Sequence, residues 1–158
     1  MKQSGTESVW DYPRPPSLEA FDGTVKVICK GITIAKSSQS YRVLETSHPP
    51  VFYIPKEDIE MKYLVQIDKT TYCEYKGNAS YWNLVINDEI IPEAAWSYES
   101  PAPVYGAITG YLAFYAEKVD ACYVNDEKVQ PQEGGYYGGW VTSNIEGPFK
   151  GKKGTENW

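Results

Sequence analysis

The sequence is poor in residues that form disulfides or bind metals: among 158 residues it has three cysteines and one histidine. Cys29, Cys73 and Cys122 are far apart, and no C-x-x-C pair occurs. This spacing argues against a disulfide framework and against a structural zinc site. We therefore expect a protein without metal or other cofactor, in the reducing environment of the cytoplasm.

Long apolar segments and positive charge are also scarce. The N-terminal stretch has no apolar signal core, and no apolar run is long enough to cross a bilayer, so no membrane span is predicted. The formal net charge is -6 at pH 7. Because nucleic acids and anionic membranes are bound by positive surfaces, we expect neither as a partner. A small anionic ligand is compatible with this charge, since one lysine in a cleft acts locally.

Phenylalanine is scarce, with 4 residues, whereas there are 14 tyrosines and 5 tryptophans. Tyr and Trp combine an apolar ring with a polar group, which suits half-buried and ligand-facing positions. A strand-rich core with tyrosine on its strands is the alternative interpretation of the same composition.

Short alternating segments separated by turn residues indicate an all-β domain. Val25, Val27 and Cys29 alternate along one strand, and Lys30-Gly31 predicts a hairpin to the next. Lys56 to Tyr63 is the best helical stretch, one or two turns long. The predicted organisation is an extended arm (1–23), a β domain (24–131) and a Gly- and aromatic-rich tail (132–158) packed on the domain. A disordered tail is the alternative.

Four segments of the chain form a recognisable set: Arg42–Pro55, Thr71–Trp82, Ala95–Tyr98 and Ala113–Tyr115. They resemble the signature blocks of domain-of-unknown-function family 427, over a region from about Thr24 to Pro131, and the flanks resemble those of cyanobacterial members. The resemblance implies a β-tent fold, in which two antiparallel sheets meet at a steep angle. Many proteins of that shape carry a zinc knuckle built on two C-x-x-C pairs, which this chain lacks, so no zinc role is implied.

Three polar side chains near predicted strand ends form the candidate site. Glu45 ends a strand, His48 precedes a Pro-Pro bend that fixes the backbone, and Lys76 lies in a polar turn. We predict that these side chains converge on one pocket. A structural ion pair of Glu45 with Lys76 or Arg42, and a plain turn at Lys76, are the alternatives.

Aromatic residues of the four segments are expected to wall this pocket. Neighbours such as Tyr81 and Trp82 point to opposite faces of a strand, so one can face a cleft while the other packs in the core. Besides the three polar residues, the predicted ligand-binding set is Tyr53, Cys73, Tyr75, Tyr81, Trp82, Trp96, Tyr98 and Tyr115.

These features predict a domain that binds a small molecule in an aromatic cleft. One alternative is an enzyme that uses Cys73 or Glu45 with Lys76, because a cysteine near a lysine can become nucleophilic. A buried, inert thiol is the other interpretation of Cys73. A third function is protein interaction, with the aromatic tail engaging a partner.

Overall fold

Alternating burial defines the strands of the structure, a computed structural model that describes residues 6–133, 137–151 and 154–155. In β3 (Val25–Cys29) the first, third and fifth residues are buried, as predicted. Lys30 and Gly31, with φ of 53° and 75°, form the turn to β4 (Ile32–Ser37). Such a turn with two positive φ angles matches the twist of an antiparallel hairpin.

Three antiparallel sheets of three or four strands contain most of the strand residues in the described part of the chain. The first has the order β10 (Leu112–Phe114), β9 (Glu89–Ser97), β8 (Gly77–Ile86) and β7 (Leu64–Cys73). The second has the order β12 (Glu127–Lys128), β11 (Ala121–Val124), β3 and β4. The third has the order β2 (Ser17–Ala20), β5 (Tyr41–Leu44) and β6 (Val51–Tyr53). The predicted all-β fold with antiparallel sheets is thus confirmed.

Short pairs complete the fold. β1 (Glu7–Ser8) runs parallel to β15 (Ile145–Glu146), and β13 (Gln130–Pro131) pairs with β14 (Trp140–Val141). Five short 3-10 helices occur in the described residues, more than the one or two helical turns predicted: Val9–Asp11, Lys56–Asp58, Met61–Tyr63, Pro103–Ile108 and Ala116–Lys118. No helix in the described part of the chain is long and apolar enough to span a membrane.

The main hydrophobic core receives one face of each large sheet. It contains Val25, Val27, Cys29, Ile34, Phe52, Ile54, Trp82, Leu84, Ile86, Leu112, Phe114 and Trp140 among its buried residues. Each fully buried large side chain contributes about 1.5–3 kcal/mol. The third sheet is tied to the first because Ile54 and Leu112 exchange both backbone hydrogen bonds, at 2.8 and 2.9 Å.

Two strands are longer than the sequence pattern predicts. The sequence pattern predicts a strand from Thr70 to Tyr75, whereas β7 already begins at Leu64, and most of its side chains are exposed. The pattern also predicts a strand from Ala94 to Tyr98, whereas β9 begins at Glu89 and passes through Pro92. The register of its pairing with β8 shifts there, and Glu93 has a φ of 49°. Proline is tolerated at such an irregularity because no ladder hydrogen bond is required of it.

The arm and the tail both contact the domain where they are described. β2, within the predicted arm, pairs with β5. In the tail, Trp140 is fully buried, and its indole nitrogen donates to the carbonyl oxygen of Phe114 at 3.0 Å. The parts of the arm and tail predictions that fall on residues 1–5, 134–136, 152–153 and 156–158 lie outside the described residues.

Candidate functional site

Strand alternation sends neighbouring aromatic residues to two different clusters. Trp82 and Phe52 pack in the main core, whereas their neighbours Tyr81 and Tyr53 pack in a second cluster. A strand buried on both faces in this way can therefore carry a structural residue and a site residue side by side.

The second cluster, called here the tyrosine cluster, is unusually rich in one residue type. Its aromatic members are Tyr41, Tyr53, Tyr75, Tyr81, Trp96, Tyr98, Tyr105, Tyr111 and Tyr115, and Cys73 lies among them. They come from strands of the first and third sheets, from the Pro103–Ile108 helix, and from residues that flank the strands of the first sheet.

Ring contacts fix the centre of the tyrosine cluster. The Tyr53 and Trp96 rings meet edge to face with centroids 6.2 Å apart, and the indole nitrogen of Trp96 donates to the Tyr53 hydroxyl at 3.1 Å. The ring centroids of Trp96 and Tyr115 are 4.5 Å apart, and those of Tyr53 and Tyr98 are 6.2 Å apart. Such aromatic pairs stabilise a fold by about 0.5–1.5 kcal/mol beyond the effect of area burial. The ring arrangement at the centre of the cluster is therefore preformed.

Three hydroxyl groups of the cluster stay protonated at neutral pH. Burial raises the pKa of Tyr53, Tyr98 and Tyr115 above the ordinary tyrosine value. These phenols are therefore neutral hydrogen-bonding groups. The Tyr105 hydroxyl donates to the carbonyl oxygen of Pro16 at 2.6 Å.

Lys76 enters the tyrosine cluster from the β7–β8 turn. Only 8% of its surface is exposed, and its ammonium lies 5.7 Å from the centroid of the Tyr98 ring. Its carbonyl oxygen accepts a hydrogen bond from the backbone N–H of Ala102 at 2.9 Å, which fixes the turn. Within the described part of the chain no carboxylate pairs with this ammonium. A buried cation without a counter-ion is unusual, because burial favours pairing.

Glu45 and His48 lie together after β5. His48 Nδ1 lies 2.9 Å from the Thr46 carbonyl oxygen, and burial lowers the pKa of His48 while the charge of Glu45 opposes that shift. Burial raises the pKa of Tyr105, a buried residue of the tyrosine cluster, and the charge of Glu45 adds to this upward shift. Neither residue forms an ion pair or hydrogen bond with Lys76 among the described residues. Convergence of the three side chains on one pocket stays a prediction.

The predicted site residues fall into two groups. Tyr53, Cys73, Tyr75, Tyr81, Trp96, Tyr98 and Tyr115 lie in the tyrosine cluster. Trp82 lies in the main core, where its indole nitrogen donates to Ser97 Oγ at 3.0 Å, and the Lys56 ammonium lies 5.3 Å from its ring centroid. Sequence reasoning missed Tyr41, Tyr105 and Tyr111. Tyr41 lies on the same strand face as Val43, and this alternating pattern could have identified it as a residue of the cluster.

Arg42 takes partners that sequence reasoning did not name. It was one of two candidate partners for Glu45, but its guanidinium binds both carboxylate oxygens of Glu7, at 3.1 and 3.0 Å, and also binds Glu19. All three residues lie where the arm crosses β5, so this ion-pair network fastens the arm rather than the Glu45 region.

The tail covers one edge of the tyrosine cluster. Gly138 lies against Trp96, where an added Cβ would come within 1.9 Å of the indole ring, so only glycine fits. The Gln132 side chain holds this segment by accepting from the Gly139 N–H at 3.2 Å and donating to the Lys150 carbonyl oxygen at 2.7 Å. Tyr137 meets the His48 ring with centroids 5.6 Å apart.

Metal-binding geometry is absent from the described residues, where no group of three or more His, Cys, Asp or Glu side chains could hold an ion. A protein without metal stays a prediction that metal analysis can test.

Comparison with known proteins gives one result. No curated protein matches the sequence significantly. A sequence model described as a domain of unknown function, DUF427, matches residues 17–125. Because this region is more than half of the chain, the protein belongs to the DUF427 family.

Proposed function

We propose that the protein binds a small planar anion in the tyrosine cluster, with Lys76 as its charge partner. The observation that carries this proposal is the buried Lys76 ammonium, which has an aromatic ring below it and no carboxylate beside it in the described residues. A bound anion would supply the missing counter-charge at a partly desolvated site, where opposite charges stabilise each other most.

The aromatic surroundings favour a flat ligand. Tyr53, Trp96 and Tyr98 are almost fully buried, while Tyr75, Tyr81 and Tyr115 are half-buried and offer ring surface at the rim. Ligand sites typically combine apolar aromatic walls with a few polar groups that fix orientation. Neutral phenols and one cation match that pattern for an aromatic carboxylate.

The alternative functions have less support. The enzyme hypothesis requires Lys76 to act with Cys73 or Glu45. Neither residue forms a hydrogen bond or ion pair with Lys76 in the described part of the chain. The tail aromatic Trp140 is 1% exposed, so it serves the domain itself. A cytoplasmic location is part of the proposal, supported by the free thiols of all three cysteines.

The experiment is calorimetric titration with a panel of aromatic carboxylates of one to three rings, including benzoate and indole-3-acetate. Replacing Lys76→Met keeps the side-chain length and removes the charge, and should weaken the best ligand about tenfold or more. Lys62→Met is the matched control, because the exposed Lys62 ammonium also lies over a ring, 5.3 Å from the centroid of Tyr63. The control should bind like the wild type.

Equal binding of the panel by wild type and Lys76→Met would contradict the proposal, and so would a panel that binds neither protein. Native mass spectrometry of protein purified from its own host provides an independent search for a retained anion, because it does not depend on the choice of probe.

A further inference from the structure

A second cleft, of about 660 Å³, opens between the arm, the β11–β12 turn and the tail. None of its lining residues belongs to the tyrosine cluster. Its volume lies in the range of small-molecule sites, about 300–1,000 Å³. It is therefore a separate candidate site with its own chemistry.

The walls of the second cleft are held in place by hydrogen bonds. The Glu127 carboxylate accepts from the backbone N–H of Ser143 at 2.7 Å and from its hydroxyl at 2.9 Å, which joins β12 to the β14–β15 turn. Asn125 Oδ1 accepts from the Thr24 N–H at 3.1 Å. The cleft is thus built before any ligand arrives, which lowers the ordering cost of binding.

The floor of the second cleft is aromatic. Phe52 stacks on Trp140 with ring centroids 5.2 Å apart, and Phe21 meets Phe52 edge to face at 5.1 Å. Phe52 and Trp140 are themselves buried, so the apolar surface open to a ligand comes from the half-buried Phe21 and Val124. This surface suits a planar apolar body of one or two rings.

The charge of the second cleft is net negative although Arg42 lines it. The guanidinium is already bound by two carboxylates, those of Glu7 and Glu19. Asp126 and Glu127 add further negative charge at the rim. Asp126 is exposed and has no hydrogen bond or ion pair among the described residues, so its carboxylate is available to a cation.

We propose that the second cleft binds an organic cation, an amine attached to a planar aromatic body, with the ammonium beside Asp126 and the rings against Phe21 and Val124. An anion of the same shape is disfavoured there because it meets like charges. This preference is the opposite of that proposed for the tyrosine cluster.

The test uses two probes of the same ring system and opposite charge, tryptamine and indole-3-acetate, titrated into the full chain and followed by nuclear magnetic resonance. Tryptamine should shift the backbone amide signals of Asn125 and Thr142, which line the cleft, and indole-3-acetate should not. Asp126→Asn should weaken tryptamine about threefold and Asp126→Lys about tenfold, since the carboxylate is exposed.

The matched controls are Asp68→Asn and Asp68→Lys on the exposed β7 strand, which should bind tryptamine like the wild type. Lys76→Met should also leave tryptamine binding unchanged, so failure of the anion site and failure of this site are distinguishable. The proposal is overturned if tryptamine shifts no cleft signal at millimolar concentration, if both probes shift them alike, or if Asp126→Lys binds like the wild type.

Discussion

Two cations of this protein are buried to nearly the same extent in opposite surroundings. Arg42 is 6% exposed and Lys76 is 8% exposed. The Arg42 guanidinium is held by the carboxylates of Glu7 and Glu19, whereas Lys76 faces the Tyr98 ring and has no carboxylate partner among the described residues.

The charge of Arg42 is bound within the fold, whereas the charge of Lys76 has no carboxylate partner among the described residues. Arg42 fastens the arm to β5, and its partners leave the neighbouring cleft net negative. Lys76 carries an uncompensated positive charge into the tyrosine cluster. Removing Arg42 takes a bound cation away from two carboxylates, while removing Lys76 takes a cation away from none among the described residues, so equal substitutions should have unequal effects.

Trp140→Ala should cause the largest loss on the Arg42 side of the molecule. Trp140 fills the space under Phe52 and is 1% exposed, so truncation should lower the free energy of unfolding by about 3–5 kcal/mol. Urea unfolding measures this loss. Trp140→Phe keeps the ring stacking and should lose less, about 1–2 kcal/mol, through the unpaired Phe114 carbonyl. A loss below 1 kcal/mol for Trp140→Ala would show that the tail is not part of the folded core.

Arg42→Met should lower the free energy of unfolding by about 2–3 kcal/mol. Breaking a buried pair costs about 3–5 kcal/mol, and the smaller figure applies because the Glu7 and Glu19 side chains are 33% and 50% exposed and regain water. Lys62→Met controls for loss of an exposed cation and should change stability little. If Arg42→Met and Lys62→Met were equally stable, Arg42 would have no structural role.

Tyr53→Phe tests the rigidity of the tyrosine cluster. It leaves the Trp96 indole N–H, buried and donating at 3.1 Å, without an acceptor, so a loss of about 1–2 kcal/mol is expected. Tyr72→Phe is the control, because Tyr72 is 74% exposed and has no side-chain hydrogen bond within the described residues. The urea unfolding midpoints of both variants measure this loss. Equal midpoints would mean that the hydrogen bond from Trp96 to Tyr53 contributes nothing to stability.

The tyrosine cluster should make the protein sensitive to alkaline pH. Burial raises the pKa of Tyr53 and Tyr98, so above about pH 10 the unfolded chain loses these protons while the folded chain keeps them. The stabilisation is full below that pH and is lost as pH rises, by up to about 1.4 kcal/mol per pH unit for each buried tyrosine. Urea midpoints between pH 9 and 11 measure the slope, and Tyr53→Phe should have a shallower one than wild type.

Lys76→Met should have the smallest effect on stability, within about 0.5 kcal/mol of wild type, because no carboxylate loses its partner and Met keeps the stem over Tyr98. Urea unfolding beside Arg42→Met checks the contrast directly. A loss of 2 kcal/mol or more would reveal a structural partner for Lys76 and remove the reason to expect an anion there.

Local sequence patterns predicted the strand faces and turns, which depend on residues that are close in sequence. Alternation separated Tyr81 from Trp82, and the residues of the Lys30-Gly31 turn specified a hairpin. The partners of Arg42 were missed because Glu7 and Glu19 lie 35 and 23 residues away and meet it only through arm pairing. Tyr105 was missed for a similar reason, since a short 3-10 helix without periodicity carries it into the cluster.

The most direct test of the Lys76 assignment is a nuclear magnetic resonance titration of protein with ¹³C-labelled lysine side chains. The Lys76 signal is assigned by its absence from Lys76→Met, and the titrant is the tightest-binding carboxylate of the panel. We expect the Lys76 Cε signal to shift with saturation while the Lys62 signal stays in place. A Lys76 signal that does not move at saturating carboxylate, or one that moves no more than that of Lys62, would contradict the account.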